Sequence, residues 1–132
     1  MSAPPLVIVD AANVVGSVPD GWWRDRRGAA ERLRDRLVRY AETGLPGRSG
    51  PVELVLVVEG AARGVDSVPG VRVDSAPGSG DDRIVELVEE AGDRPVLVVT
   101  ADRELRRRVG EHGAAVLGPR ALRDQEPPAD RG

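Results

Sequence analysis

The sequence predicts an α/β domain: a three-layer, mostly parallel sheet with helices on both faces. Three observations predict it. Short runs rich in Val, Leu and Ile recur as continuous apolar stretches, the signature of strands buried on both faces. Between these runs the apolar spacing turns helical. Strands and helices then alternate along the chain, which is the order that builds a parallel sheet.

The first strand is Leu6-Val7-Ile8-Val9. From about Arg24 to Glu42, apolar residues fall at Ala30, Leu33, Leu37, Tyr40 and Ala41, which predicts one helix. Val52 to Val58 is the second strand. The segment Gly60–Gly70 has room for one further helical turn, without a pattern that decides it. Val71-Arg72-Val73 is a weaker third strand between two Pro/Gly clusters. Ile84, Leu87, Val88 and Ala91 form the stripe of a helix from Asp81, and Gly92 is its stop. Val96 to Val99 is the fourth strand. Leu105 and Val109 carry the next helix, from Asp102 to Glu111, with Arg103, Arg106, Arg107 and Arg108 on its outer face. Ala115-Val116-Leu117 is a short last strand. Residues 1–123 are expected to form a single domain, and the polar, Pro-rich tail 124–132 to be disordered.

Composition narrows the chemistry. The chain has 132 residues, one domain's worth, and 40% are hydrophobic, enough for a real core. It has no Cys, Lys or Phe, a single His (His112) and a single Asn (Asn13). Thiol nucleophiles, disulfides and zinc ribbons are excluded. So are Schiff bases, ordinary P-loops and multi-histidine metal sites. The 22 carboxylates, the hydroxyls and 19 Arg remain. The net charge of −3, taken in bulk, argues against nucleic acid as a partner. The N-terminal segment has neither a basic region nor an 18-residue apolar run, so no signal peptide or membrane span is expected and the cytoplasm is the default.

Ligands of open parallel sheets bind outside the carboxyl ends of the strands. Those positions are acidic four times over: Asp10, Glu59, Asp81-Asp82 and Asp102, with Glu104 close behind. Helix capping explains acids at helix starts, with Ser79, Thr100 and Asp102 as candidate caps. Asp10 and Glu59 are not obvious caps. Several like charges on one rim repel unless a cation lies among them. Oxygen ligands suit Mg²⁺ or Mn²⁺, which activate water and stabilise the leaving oxygen in phosphodiester hydrolysis. Asp81 and Asp82 lie about 100° apart around a helix axis, so one should face such a site and the other should cap or face solvent.

Taken together, Asp10-x-x-Asn13-x-x-Gly16 after a hydrophobic strand, Gly80-Asp81-Asp82-Arg83-Ile84, and Val98-Val99-Thr100-Ala101-Asp102-Arg103-Glu104-Leu105 resemble the YacP-like branch of the NYN domains, within the PIN-like nuclease superfamily. The resemblance covers roughly residues 6 to 118. It implies a sheet of order 3-2-1-4-5, with Asp10 and Asp102 flanking one crevice. It implies metal-dependent cleavage of RNA, on the ribosome in some members, where the substrate is mRNA. By position, Asp10, Asp81 and Asp102 are the metal-holding catalytic acids. Asn13 would orient Asp10 or a metal-bound water, and Thr100 is the hydroxyl preceding the fourth-strand acid. Asp82, Glu59 and Glu104 are further metal candidates. Glu59 and Glu104 stand where relatives often carry Asp, which puts two-metal chemistry in question more than one-metal chemistry.

Other residues bear on substrate. Arg103, Arg106 and Arg107 are candidate phosphate contacts, as against a solvated helix face. Trp22 and Trp23 are candidates for base stacking, with one expected to pack and one to be partly exposed. Salt bridges are expected to lace the Arg-rich first helix. His112 fits a helix C-terminus better than a catalytic role. The Glu59-Gly60 pair also resembles a Toprim strand end, a reading that leaves Asp10 and Asn13 unexplained. The expectation is a nuclease for single-stranded RNA. A non-catalytic RNA- or ribosome-binding module and a nucleotide phosphohydrolase are the alternatives. Oligomeric state is not readable from the sequence.

Overall fold

The computed structural model describes residues 3–123. The tail expected to be disordered, 124–132, lies outside the described residues. Five parallel strands form the main sheet: β1 (Leu6–Asp10), β4 (Glu53–Val58), β5 (Val71–Ser75), β6 (Val96–Val99) and β7 (Ala115–Leu117). Their spatial order is β5-β4-β1-β6-β7, which is the expected 3-2-1-4-5 when the five are numbered along the chain. The three central strands are almost wholly apolar because both their faces are covered.

Side-chain alternation divides the core into two. Val7 and Val9 point to one face, where Leu33, Leu37, Tyr40, Leu54, Leu56 and Val58 pack. Leu6 and Ile8 point to the other, with Val55, Val57, Ile84, Val88, Leu105 and Val109. The first face is covered by α1 (Ala11–Gly16), α2 (Arg26–Leu37), α3 (Tyr40–Thr43) and α6 (Arg120–Arg123). The second is covered by α4 (Gly80–Glu90) and α5 (Arg103–Gly110).

The single helix expected over residues 24–42 is divided. A 3₁₀ turn spans Trp22–Arg24, and Asp25 then leaves helical geometry at φ −153° to cap α2, accepting from Gly28 N–H at 2.9 Å. Beyond Leu37 the chain breaks before α3, and a small antiparallel hairpin follows, β2 (Gly44–Leu45) with β3 (Arg48–Ser49). Apolar spacing continues from Leu37 to Tyr40 across the second break, so periodicity alone does not reveal it. Salt bridges on α2 are few among the described residues: Arg27–Glu31 at 3.9 Å and Arg34–Asp35 at 3.0 Å. The same two arginines also reach across to the carbonyls of Arg63, Gly64 and Asp66, pinning the segment after β4. That segment opens with a second 3₁₀ turn, Gly60–Ala62.

A candidate active site of carboxylates at the sheet rim

Parallel pairing sets the site. Val9 lies in register with Val99, so Asp10 and Thr100 meet at the carboxyl ends of β1 and β6. The Thr100 hydroxyl donates to Asp10 Oδ2 at 2.9 Å and accepts from Asp102 N–H at 3.1 Å. Asn13 bridges the same gap: its side-chain oxygen accepts from Ala101 N–H at 2.8 Å. Three side chains thus lock the turn after β1 to the turn after β6.

Three of the acids, Asp10, Glu59 and Asp102, accept from amides at helix starts, including the two whose position gave no such hint. Asp10 caps α1, with Oδ1 3.4 Å from Asn13 N. Asp102 caps α5, accepting from Leu105 N–H at 2.9 Å. Ser79 caps α4 through Asp82 N–H at 3.1 Å. Glu59 Oε1 accepts from Gly80 N–H, the first amide of α4, at 2.5 Å. The approach is close enough that a Cβ at position 80 would displace the Glu59 carboxylate from this bond. Gly60, at φ +57°, supplies the left-handed turn that releases the chain after Glu59.

These acids surround one cleft. Asp10, Ala12, Asn13, Glu59, Ser79, Asp81 and Asp102 line an open cavity of about 350 Å³. Asp10 is only 5% exposed, and this burial pushes its carboxyl up to about 6, against the lowering effect of its bonds from Thr100 and Asn13. Asp81 is raised as well, by burial first and then by the nearby charges of Asp102 and Glu59. It accepts no side-chain hydrogen bond among the described residues, so its oxygens are open to the cleft. Asp82 turns the other way, exposed and paired with Arg108 at 3.0 Å.

Several expected site residues are elsewhere. Glu104 is exposed and bound to Arg107, which holds its carboxyl below the usual range. It does not line the cleft because residue 104 lies in the first turn of α5, two positions past the cap. Arg107 is engaged by Glu104 and Glu111. Arg103 and Arg106 are exposed and make no ion pair among the described residues. His112 faces Glu89 at 3.2 Å, away from the cleft. Trp22 is half-buried and Trp23 is 53% exposed, their rings edge-to-face at 6.0 Å. Two participants carry weak sequence signals. Arg108 lowers Asp81 through its charge, and Glu59 reaches an amide twenty-one residues on, a contact that only the topology creates.

The donor set is oxygen only, which suits a hard cation such as Mg²⁺ or Mn²⁺. Among the described residues, no three His, Cys, Asp or Glu side chains are already grouped to hold one ion. The residues therefore fit a largely hydrated cation held by one or two carboxylates, the usual habit of Mg²⁺.

A parallel five-stranded α/β domain of this order, with acids gathered at the rim between β1 and β6, has the PIN-like architecture. No family model matches the sequence, and no curated protein does. Among solved structures the chain is similar to Rae1 (YacP) from Bacillus subtilis, at TM-score 0.73 and 18% identity over 91% of this chain and 72% of that one. A tryptophan-to-leucine variant of the same protein matches at TM-score 0.70 and 19% identity, over 92% of this chain and 74% of that one. The fold is YacP-like.

Proposed function

We propose that this chain is a metal-dependent endoribonuclease for single-stranded RNA, with Asp10, Asp81 and Asp102 as the acids that hold a hydrated Mg²⁺ or Mn²⁺, one or two of them directly and the rest through water. The observation that carries the reading is the gathering of acids from four separate segments around one open cleft, with Asp10 and Asp81 shifted toward protonation by burial and mutual repulsion. Such repulsion has no structural benefit and is relieved by a bound cation. The YacP-like fold supports the same reading.

When bound, the cation would activate water and offset charge on the phosphodiester oxygens. The rest is done by the chain's own groups. Thr100 and the Asn13 amide fix the Asp10 carboxylate in one orientation. Asp102 is held through one oxygen by its own helix, leaving the other for the cleft. Asp81, with its oxygens open to the cleft, would hold the cation directly or through water. Arg103 and Arg106, exposed on α5, are available to RNA phosphates. The open form of the cleft favours a strand passing through it over a free nucleotide enclosed within it. Glu104 and Asp82, turned onto Arg107 and Arg108, have no part in this reading. mRNA on the ribosome is one setting in which single-stranded substrate would be presented.

A second reading, a non-catalytic RNA- or ribosome-binding module, draws on the helix-capping bonds that already occupy Asp10, Glu59 and Asp102. Labelled single-stranded RNA separates the two. Cleavage with Mn²⁺, abolished by EDTA and by Asp102→Asn, is the expected result. Cleavage that survives EDTA, or an Asp102→Asn variant as active as the parent, refutes the mechanism. Binding without cleavage moves the assignment to the module.

A further inference from the structure

A second cavity, of about 80 Å³, adjoins the acid cleft and shares Ala12 and Glu59 with it. Its other walls come from Val15, Trp22, Arg26, Ala30 and Ala62. We propose that this cavity is a base subsite: it receives one nucleobase of the RNA strand whose backbone crosses the acid cleft. The proposal rests on the nuclease reading for its strand and names the place where that strand is gripped.

Chemistry and position both point to a base. An indole ring and a guanidinium group stand together here, with Arg26 Cζ 5.3 Å from the Trp22 ring centroid. These are the two kinds of flat surface on which an unstacked base rests. The remaining wall is small and apolar, which suits the faces of a base and offers nothing to a phosphate. The cavity adjoins the cleft at Ala12 and Glu59, so a nucleotide whose phosphate lies near the acids would have its base within reach of Trp22.

The geometry also separates the two tryptophans. Trp22 lines the cavity and rests beside Gly16, where an added Cβ would lie 3.7 Å from its ring. Trp23 meets Trp22 edge-on from outside and is absent from the cavity wall. Base stacking is therefore assigned to Trp22 alone.

The test measures RNA affinity in EDTA, where cleavage does not interfere, by fluorescence anisotropy of a short labelled single-stranded RNA. Trp22→Leu removes the stacking surface. Ala62→Leu fills the cavity without touching charge or the indole, and guards against a folding defect in the first variant. Both are expected to weaken binding by roughly 5- to 100-fold, the range that loss of one stacked base produces. Free nucleoside monophosphates should quench the parent's tryptophan fluorescence, and Ala62→Leu should abolish that quenching. Unchanged affinity in both variants, or a loss confined to Trp23→Leu, overturns the subsite. If those variants still cleave RNA with parental affinity, the subsite is wrong and the nuclease reading stands. If they lose affinity while the parent cleaves nothing, the subsite stands and the nuclease reading falls.

Discussion

Asp10→Asn should make the metal-free protein more stable while removing its activity. The carboxyl is raised from 3.8 to about 6 in the folded chain, chiefly because β1 and α1 bury it. A raised acid binds its proton more tightly in the folded state than in the unfolded state. Its ionisation therefore costs stability, and the cost grows as pH rises from the unfolded value through the folded one. Fully ionised, near pH 8, the penalty is about 3 kcal/mol. Near pH 4 the folded state is protonated and the unfolded state only about half so, and the penalty falls to about 0.5 kcal/mol. Asn removes the titration at nearly the same volume. It can still accept from Asn13 N–H, but its amide cannot accept the Thr100 hydroxyl as Oδ2 does, a loss of about 1 kcal/mol. The net gain near pH 8 is then about 1–2 kcal/mol, turning to a slight loss near pH 4. Urea denaturation of both proteins in EDTA at the two pH values measures this directly. A variant less stable than the parent near pH 8, or a difference independent of pH, would refute the burial argument.

Two further outcomes follow from the same rim. Asp102 is both cap and candidate ligand, and two substitutions separate the roles: Asn caps as well as Asp, so Asp102→Asn should leave stability nearly unchanged, whereas Asp102→Ala should lose about 1 kcal/mol in thermal or urea unfolding. Mn²⁺ should stabilise the parent by about 2.7 kcal/mol at a hundredfold excess over its Kd, read as a rise in Tm that Asp10→Asn reduces, and absence of any shift at millimolar Mn²⁺ would count against a metal at this cleft.

Much of this architecture was legible because parallel sheets write themselves plainly. Strands buried on both faces must be continuous apolar runs, and the runs at Leu6, Leu54 and Val96 mark the centre of the sheet. The rim acids were legible for a related reason. A carboxylate that follows such a run is placed by the strand, so Asp10 needed no tertiary information to be noticed. What remained hidden depends on contacts between distant segments. Glu59 as a partner for the α4 terminus requires β4 and α4 to be neighbours. The side-chain bridge from Asn13 to Ala101 requires β1 and β6 to be paired. The break after Leu37 was hidden for a local reason, since the apolar residues on either side of it, Leu37 and Tyr40, still fall at a helical interval. Glu104 was misplaced by counting along the sequence, when position around the α5 axis decided its direction.

The capping bonds and the candidate metal role of these acids are not in competition. A carboxylate has two oxygens, and a backbone N–H at a helix start occupies only one lone pair of one of them. The amide holds the group in a single orientation, so the other oxygen is presented to the cleft without the entropy of a free side chain. The partial positive charge at a helix start also favours the ionised form. The charges gather at one rim, and three helices that begin there, α1, α4 and α5, offset part of their repulsion. Asp81 has a different position. It lies inside the first turn of α4, accepts no cap bond, and faces Asp102 and Glu59 directly. A cation arriving at the cleft would lower both raised acids, Asp10 and Asp81, toward the usual carboxylate range, and proton release on Mn²⁺ binding near pH 6, reduced in Asp10→Asn, would report its entry.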